Sequence, residues 1–172
     1  MATVRARGKT RRRTTALRPV LRLATKADWR VLVAHRVAMF AAIGGPSPRQ
    51  LRAHEDEYRR WLLPRIRTGE VAMLIWEPRT GVVAASGGIW FRPEQPRPGA
   101  ARTTVPYVFS MYTEPPFRRK GLARRLVREM LRLCRARGYR RVVLHAAPQA
   151  RRMYRRLGFE RSWEMRVGLR RP

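Results

Sequence analysis

The chain is poor in cysteine and histidine and has no long apolar run, and each shortage excludes a class of protein. Its 172 residues include one cysteine, Cys134, which excludes an internal disulfide framework and a cysteine-cluster metal site. The three histidines are scattered without metal-ligand spacing, so we expect no metal. No segment approaches the roughly 20 apolar residues of a membrane span, and no apolar stretch follows the basic N-terminus as in a secretory signal. We therefore expect a cytoplasmic protein.

Acidic residues are also scarce. The chain has 11 Asp and Glu against 40 Lys and Arg, a formal net charge of +29, and only three of the basic residues are lysine. This charge predicts an anionic partner, which is nucleic acid, a membrane surface or a phosphorylated small molecule. The chain contains 44% hydrophobic residues, including five Trp, which is enough to form a hydrophobic core. This composition excludes intrinsic disorder for most of the chain.

The sequence predicts one domain over residues 20–172, preceded by a basic arm over residues 1–19. The arm carries seven basic residues and no acidic ones, and little in it can pack. It is either a solvated extension or a segment that contacts nucleic acid. The length of the chain fits a single domain of about 100–200 residues.

The patterns that follow predict a mixed α/β domain with the element order βααβββαβαβ. Thr25 with Asp28, and Ser47 with Pro48, are typical of helix starts. Two consecutive glycines, Gly87 and Gly88, indicate a bulge or a close backbone approach within a strand. The expected strands cover residues 20–24, 71–76, 82–91, 104–113 and 141–146, with a terminal strand or hairpin over residues 159–169. The expected helices cover residues 26–42, a segment from 48, 122–137 and 148–157. Residues 104–146 would form a parallel βαβ unit.

The most informative segment is YTEPPFRRKGLARRL, residues 112–126. A strand ends at two prolines, a short basic loop with Gly121 follows, and a helix begins at once. The first turn of a helix has N–H groups without internal partners and a partial positive charge, so it attracts phosphate. The segment predicts a phosphate or pyrophosphate site, although it contains neither a Walker loop nor a Rossmann fingerprint.

Two motifs resemble the GNAT superfamily of N-acetyltransferases. The acetyl-CoA loop of that family reads Q/R-x-x-G-x-G/A, and it is matched here by Arg118, Arg119, Lys120, Gly121, Leu122 and Ala123. The second signature, L-Y-x-x-L-G-F, is matched by residues 153–159, MYRRLGF. The element order fits from Val20 to Leu169, so the resemblance covers nearly the whole domain.

The resemblance implies a mechanism. Backbone groups near Met111 and Thr113 would hold the pantetheine and the acetyl carbonyl, and the N–H groups of residues 119–123 would hold the pyrophosphate. An acceptor amine would attack the thioester directly. Tyr154 matches the family tyrosine that protonates the departing thiolate, and its unperturbed pKa of about 10 lies above that of a thiol. Ala147 departs from the family, because many members carry Asn there.

The general base is less determined, with Glu114 and His145 as candidates. Either could instead be structural, Glu114 as a loop charge and His145 as a hydrogen-bonded strand end. Tyr58 and Trp61 have the spacing of core residues in a helix, although that region lines the acceptor pocket in similar proteins. Cys134 lies on an apolar helix face, which argues against a nucleophilic role.

The sequence thus predicts an acetyl-CoA-dependent N-acetyltransferase whose acceptor is a small molecule or a protein with an amine. Two alternatives stay open: an inactive GNAT fold that binds nucleic acid, and an enzyme that acetylates an aminoacyl-tRNA or a ribosomal protein. RNA and a second copy of the chain, in a homodimer, stay open as partners. Residues 118–172 carry +16 of the net charge, which favours CoA as the anionic partner. A basic surface also disfavours polycationic acceptors and favours those with a carboxylate or phosphate.

Overall fold

A computed structural model describes residues 19–79, 81–99 and 102–168. The predicted basic arm lies outside these residues except for Pro19, and so does Leu169 at the end of the predicted terminal strand. In the described part, four α-helices surround one five-stranded sheet.

The first helix begins where the sequence predicts it. Thr25 caps a short 3₁₀ turn, Lys26–Asp28, and the Asp28 carboxylate accepts a hydrogen bond from the Thr25 N–H at 2.7 Å. Helix α1 (Trp29–Ile43) follows directly and ends at Gly44. The reciprocal cap satisfies donors that the first turn of a helix leaves unpaired.

The second helix, α2 (Pro48–Thr68), is fixed at both ends by its sequence. Ser47 accepts from the Gln50 N–H at 3.3 Å, and the Gln50 side chain accepts from the Ser47 N–H at 2.7 Å. Gly69 ends the helix in the left-handed conformation, which costs glycine little. These residues set the direction in which the chain enters the sheet.

One mixed sheet organises the fold. Its strands are β1 (Val20–Leu23), β2 (Val71–Glu77), β3 (Ala85–Pro93), β4 (Thr104–Thr113) and β5 (Val143–Leu144), and helices α3 (Leu122–Ala136) and α4 (Arg151–Arg155) precede and follow β5. The strands lie in the order β1-β2-β3-β4-β5. The first four pair antiparallel, whereas β4 and β5 pair parallel, which confirms the βαβ unit.

The sheet is buried on both faces. Neighbouring residues of β2 point to opposite sides, so Met73 and Ile75 pack with α1 and α2 while Leu74 packs with α3. Helix α3 presents a buried apolar stripe to the sheet, as predicted, and Cys134 lies in it with 1% of its surface exposed. The helices on both faces hold the sheet in place.

The glycine pair of β3 marks an irregularity in the sheet. Gly87 lies opposite two residues of β4, Ser110 and Met111, which makes a β-bulge. Ser110 takes a φ of +51°, which is uncommon for a residue with a side chain. A Cβ on Gly87 would lie 2.9 Å from the Met130 methyl group and closer still to the Met111 sulfur. The predicted bulge is confirmed, and the groups that approach Gly87 closely are side chains.

The predicted terminal strand is wrong over its described part, residues 159–168. Apolar residues alternate there as in a strand, but the segment forms no ladder, and Trp163, Met165 and Val167 are more than 80% exposed. The strand predicted over residues 141–146 contains only the two residues of β5. A strand needs main-chain partners as well as alternation, and so short an edge offers few. The observed order over the described residues is βααβββαβα.

Candidate active site

The sheet opens between β4 and β5. These strands pair only through Tyr107 with Val143 and Val108 with Leu144, so no strand of the described part of the chain pairs with residues 109–113 on that side. On its other side, β4 stays paired with β3 as far as Thr113. A cavity of about 1190 Å³ lies at this opening. The unpaired main-chain groups of β4 are therefore free to bind a ligand.

The bulge of β4 lies in the wall of this cavity. Ser110, Met111 and Thr113 all line it, so the structure places both strand residues predicted to hold the donor at the opening. Ala147, where the family often has Asn, also lines the cavity.

The basic loop after β4 forms another part of the wall. Arg118 donates from Nε to the Thr113 carbonyl at 2.9 Å, which fixes the loop to the end of the strand. Arg119 has a φ of +64° and Gly121 a φ of +77°. Within the described chain, the N–H groups of residues 119–124 have no main-chain acceptor. This row of free donors at the start of α3 has the chemistry of an anion site.

The loop residues differ in their position relative to the cavity. Arg118, Arg119, Gly121, Leu122 and Ala123 line it. Lys120 does not, and its ammonium lies 5.4 Å from the Phe117 ring centre. The cavity wall also includes Arg124, so the basic character extends into the first turn of α3.

Tyr154 reaches the cavity from α4. Its side chain is 7% exposed, and its ring packs edge-on against Phe159 at 5.6 Å between centroids. Burial, together with the neighbouring Tyr107, raises the pKa of Tyr154 to about 12. The phenol therefore keeps its proton throughout the neutral range.

His145 is part of a chain of hydrogen bonds at the rim. Its Nδ1 lies 2.7 Å from the Tyr107 hydroxyl, and its Nε2 lies 2.7 Å from a carboxylate oxygen of Glu164. Glu164 in turn accepts from Arg166 at 2.8 Å. His145 and Tyr107 both line the cavity. The carboxylate fixes the orientation of the imidazole, as in sites that move protons.

Glu114, the other candidate base, lies outside the cavity wall. One of its carboxylate oxygens is 3.2 Å from Nε2 of His35, a buried imidazole, but the approach is not that of a hydrogen bond. Nδ1 of His35 lies 2.8 Å from the Ser86 hydroxyl. The structure therefore joins Glu114 to a buried pair and separates it from the opening.

Another group of residues, of which only Tyr58 was named from the sequence, lines the cavity near the bulge. Arg36, on α1, donates to Ser110 Oγ at 2.7 Å and to His54 Nε2 at 3.0 Å. Its guanidinium lies 4.5 Å from the Tyr58 ring centre and 4.8 Å from that of Phe40. We call these five residues the Arg36 cluster.

A sequence signal for Arg36 does exist. It lies four residues after Leu32 and four before Phe40, so a charge interrupts the apolar stripe of α1. Tyr58 and Trp61 were predicted as core residues, and Tyr58 is indeed 3% exposed. Both also line the cavity, so core packing and pocket lining coincide in α2.

The geometry is matched by a known family. The family model described as acetyltransferase (GNAT) family matches residues 37–159, more than two thirds of the chain. The chain belongs to the GNAT acetyltransferase family. The predicted resemblance is confirmed, and so is the mixed α/β fold. No curated protein matches the chain.

Solved structures share the fold of this acetyltransferase. A GCN5-related N-acetyltransferase from Ralstonia eutropha JMP134 is 27% identical, with 88% of this chain and 98% of that chain covered and a TM-score of 0.79. A predicted acetyltransferase from Clostridium acetobutylicum, crystallised with acetyl-CoA, is 22% identical, with 88% and 96% covered and a TM-score of 0.78. The second likeness, at that identity, shows the fold alone.

As a GNAT acetyltransferase, the chain is an N-acetyltransferase that uses acetyl-CoA as its acyl donor. The open edge of β4 and the free N–H groups of the basic loop fit an elongated donor that ends in phosphates. Within the described ranges, no three His, Cys, Asp or Glu side chains are grouped to hold a metal ion. No helix among those ranges is long and apolar enough to span a membrane.

Proposed function

We propose that the enzyme transfers the acetyl group of acetyl-CoA to a primary amine by direct attack, with Tyr154 as the general acid. The observation that carries this proposal is the single cavity shared by the open edge of β4, the basic loop and Tyr154. Direct attack requires the donor thioester and the amine in one space, and proximity then lowers the barrier.

The donor lies along β4 in this proposal. The N–H groups of residues 119–123 bind the pyrophosphate, and Arg118 and Arg119 add charge beside them. The unpaired main-chain groups at Met111 and Thr113 bind the pantetheine and the acetyl carbonyl. An N–H aimed at the carbonyl oxygen stabilises the charge that develops during attack.

Tyr154 donates its phenol proton to the departing sulfur of CoA. Because its pKa is raised to about 12, Tyr154 is protonated when the thiolate forms. The same burial that raises a phenol pKa also makes a thiolate more basic, as the pKa of about 11 at buried Cys134 illustrates. A strongly basic leaving group gains most from a proton donor nearby.

The proton of the attacking amine passes to His145. His145 lines the cavity, whereas Glu114 lies outside its wall, which favours the histidine. With Nε2–H donated to Glu164, Nδ1 is free to accept a proton relayed by the Tyr107 hydroxyl.

Replacing Tyr154 with Phe tests the role of the acid. We expect kcat with a suitable amine to fall by about 100-fold or more, because a positioned general acid contributes that much. Thermal stabilisation by acetyl-CoA should persist, because the hydroxyl is not needed to bind the donor. The measurement is CoA thiol release together with thermal unfolding.

Tyr139→Phe is the matched control. The Tyr139 hydroxyl forms a hydrogen bond of 2.7 Å with the Thr104 hydroxyl, and Tyr139 is not part of the cavity wall. Unchanged turnover in Tyr154→Phe would remove the tyrosine from its proposed role. An unfolding temperature that rises with RNA but not with acetyl-CoA would contradict the donor site and favour the nucleic-acid alternative.

A further inference from the structure

Arg36 is a cation in apolar surroundings. It is half-buried, and its guanidinium lies against the Phe40 and Tyr58 rings. Burial lowers the pKa of Arg36 against the opposing effects of Tyr58 and Tyr107. An arginine keeps its charge even so, because its ordinary pKa lies far above the neutral range.

This charge has no anion beside it. Among the described residues, Arg36 donates only to a hydroxyl and an imidazole, and no carboxylate lies within ion-pair distance. Glu57, in the same cavity wall, lies 3.4 Å from His54 instead. Two of the five guanidinium N–H groups are used, so an N–H on each terminal nitrogen is left for a ligand. An uncompensated cation in a half-buried position is destabilising, and an anionic ligand would compensate it.

The position of Arg36 relates it to the reacting atoms. Ser110, which its Nη1 contacts at 2.7 Å, is the neighbour of Met111, where the acetyl carbonyl lies in the proposed function. One residue along a strand spans about 3.3 Å. Arg36 thus contacts the residue of β4 next to the one where the amine attacks in the proposed function, so an anion on Arg36 and the attacking amine can belong to one small acceptor.

We propose that Arg36 binds the carboxylate of the acceptor and that the acceptor is a small free amino acid, acetylated on its amine. The inference rests on the proposed acetyl transfer and names its substrate class. The planar fork of the guanidinium matches a carboxylate. The aromatic wall beside it, with Trp61 edge-on to Trp90 at 5.4 Å and to Phe109 at 5.8 Å, suits an apolar or aromatic side chain.

Other anionic or amine-bearing acceptors fit this arrangement less well. A phosphate carries more charge than one guanidinium compensates, and His54 offers Arg36 a nitrogen lone pair and not a second cation. An aminoacyl-tRNA carries its amino acid as an ester, and a protein N-terminus carries it as an amide. Neither keeps the free α-carboxylate beside the amine, so neither would use Arg36 in this way.

The test compares matched acceptors in matched variants. L-phenylalanine and L-leucine are assayed beside L-phenylalaninamide and L-leucinamide by CoA thiol release with saturating acetyl-CoA. The variants are Arg36→Gln, Arg36→Lys and Arg30→Gln. Arg30 is exposed on the same helix and lies 4.7 Å from the Trp29 ring centre, so its variant is the control. Because the acids and amides differ in amine basicity, the quantity compared is the change in the acid-to-amide ratio of kcat/KM on mutation.

We expect Arg36→Gln to lower this ratio by about 10- to 100-fold, the effect of losing a charge-assisted hydrogen-bond pair. Arg36→Lys should lower it less, because it keeps the charge without the fork, and Arg30→Gln should leave it unchanged. If Arg36→Gln does not fold, two other measurements decide between the outcomes. One is the acid-to-amide ratio of Arg36→Lys. The other is the affinity of the wild type for phenylalanine compared with phenylalaninamide, measured by tryptophan fluorescence.

Three outcomes would overturn the inference. If Arg36→Gln lowers kcat/KM equally for the acids and the amides, Arg36 has a structural role. Preferred transfer to a tripeptide, an aminoacyl ester or phosphoethanolamine, with a ratio that Arg36→Gln does not change, identifies another acceptor class. A panel in which no free amino acid is acetylated or bound also refutes it. Transfer to any amine leaves the proposed function standing, whereas no transfer to any of them counts against that function itself.

Discussion

His35 is an imidazole with only 2% of its surface exposed, held between a serine hydroxyl and a carboxylate. The Tyr112 ring lies 4.9 Å away and closes another side. Burial lowers the pKa of His35 below the ordinary 6.5, and Glu114 opposes this shift without reversing it. The histidine is therefore neutral at pH 7 and donates or accepts within the core.

This environment makes the stability of the protein depend on pH. Below pH 6.5 the unfolded chain takes up a proton at His35 that the folded chain resists, so the unfolded state is favoured as the pH falls. We expect the unfolding temperature of the wild type to drop between pH 7 and pH 5. The measurement is thermal unfolding across that range, with His35→Gln for comparison.

His35→Gln removes the titrating group, so its unfolding temperature should change less with pH than that of the wild type. Parallel curves for the two proteins would show that another group controls the acid sensitivity.

Sequence patterns predict residues that are close together in the chain better than residues brought together by folding. The basic loop and Tyr154 belong to contiguous motifs, so each could be named in advance. The Arg36 cluster could not, because His54 and Ser110 lie 18 and 74 residues from Arg36 and meet it only through the packing of α1 on α2 and on β4. Its one local signal, a charge within an apolar stripe, does not identify its partners.

At the scale of elements, the start of α3 depends on one left-handed residue. Gly121 has a φ of +77°, and nothing lies within 4 Å of where its Cβ would be. Gly121→Ala should therefore strain the backbone by about 1–2 kcal/mol without a steric clash. Because the loop can relieve this strain by turning its N–H groups away, we expect a KM for acetyl-CoA that is raised about 5-fold or more.

Gly138 provides the control at the other end of the same helix. It has the same φ of +77°, and its nearest neighbour is a flexible arginine end at 3.9 Å. Gly138→Ala should lose similar stability and keep its KM for acetyl-CoA. The measurements are steady-state kinetics and urea unfolding, and an equal change of KM in both variants would show a general effect of strain.

The boundaries of elements were predictable where a local interaction sets them. Thr25 and Ser47 act on adjacent backbone groups, so the sequence alone indicates where these two helices begin. The segment after residue 158 differs, because whether it pairs depends on the length of β5. That length follows from how β4 and β5 diverge, which no local pattern records.

The molecule as a whole carries its charge unevenly. Residues 118–172 hold 19 basic and 3 acidic residues, so the arginines there outnumber the carboxylates that could pair with them. The few carboxylates are shared between arginines, as when Glu94 lies 3.0 Å from Arg97 and also pairs with Arg141. The remaining positive charges repel one another.

Salt should therefore stabilise the fold. Raising the ionic strength from about 0.02 M to about 0.3 M shortens the screening length to below 10 Å and weakens this repulsion. We expect the unfolding temperature to rise in sodium chloride. Sodium sulfate at equal ionic strength separates screening from anion binding, and an unfolding temperature that falls with chloride would show that ion pairs outweigh the repulsion.

The buried cysteine has a practical consequence for the kinetics of this enzyme. Cys134 is 1% exposed, and burial raises its pKa to about 11, so the folded chain offers no thiolate to a disulfide reagent. The colour that develops in a thiol-release assay then comes from the CoA released in each turnover and not from Cys134. In the absence of substrate, the slow appearance of one thiol per chain measures how often the core beneath α3 opens. The same thiol reagent thus measures both the turnover of the enzyme and the rate at which Cys134 becomes exposed.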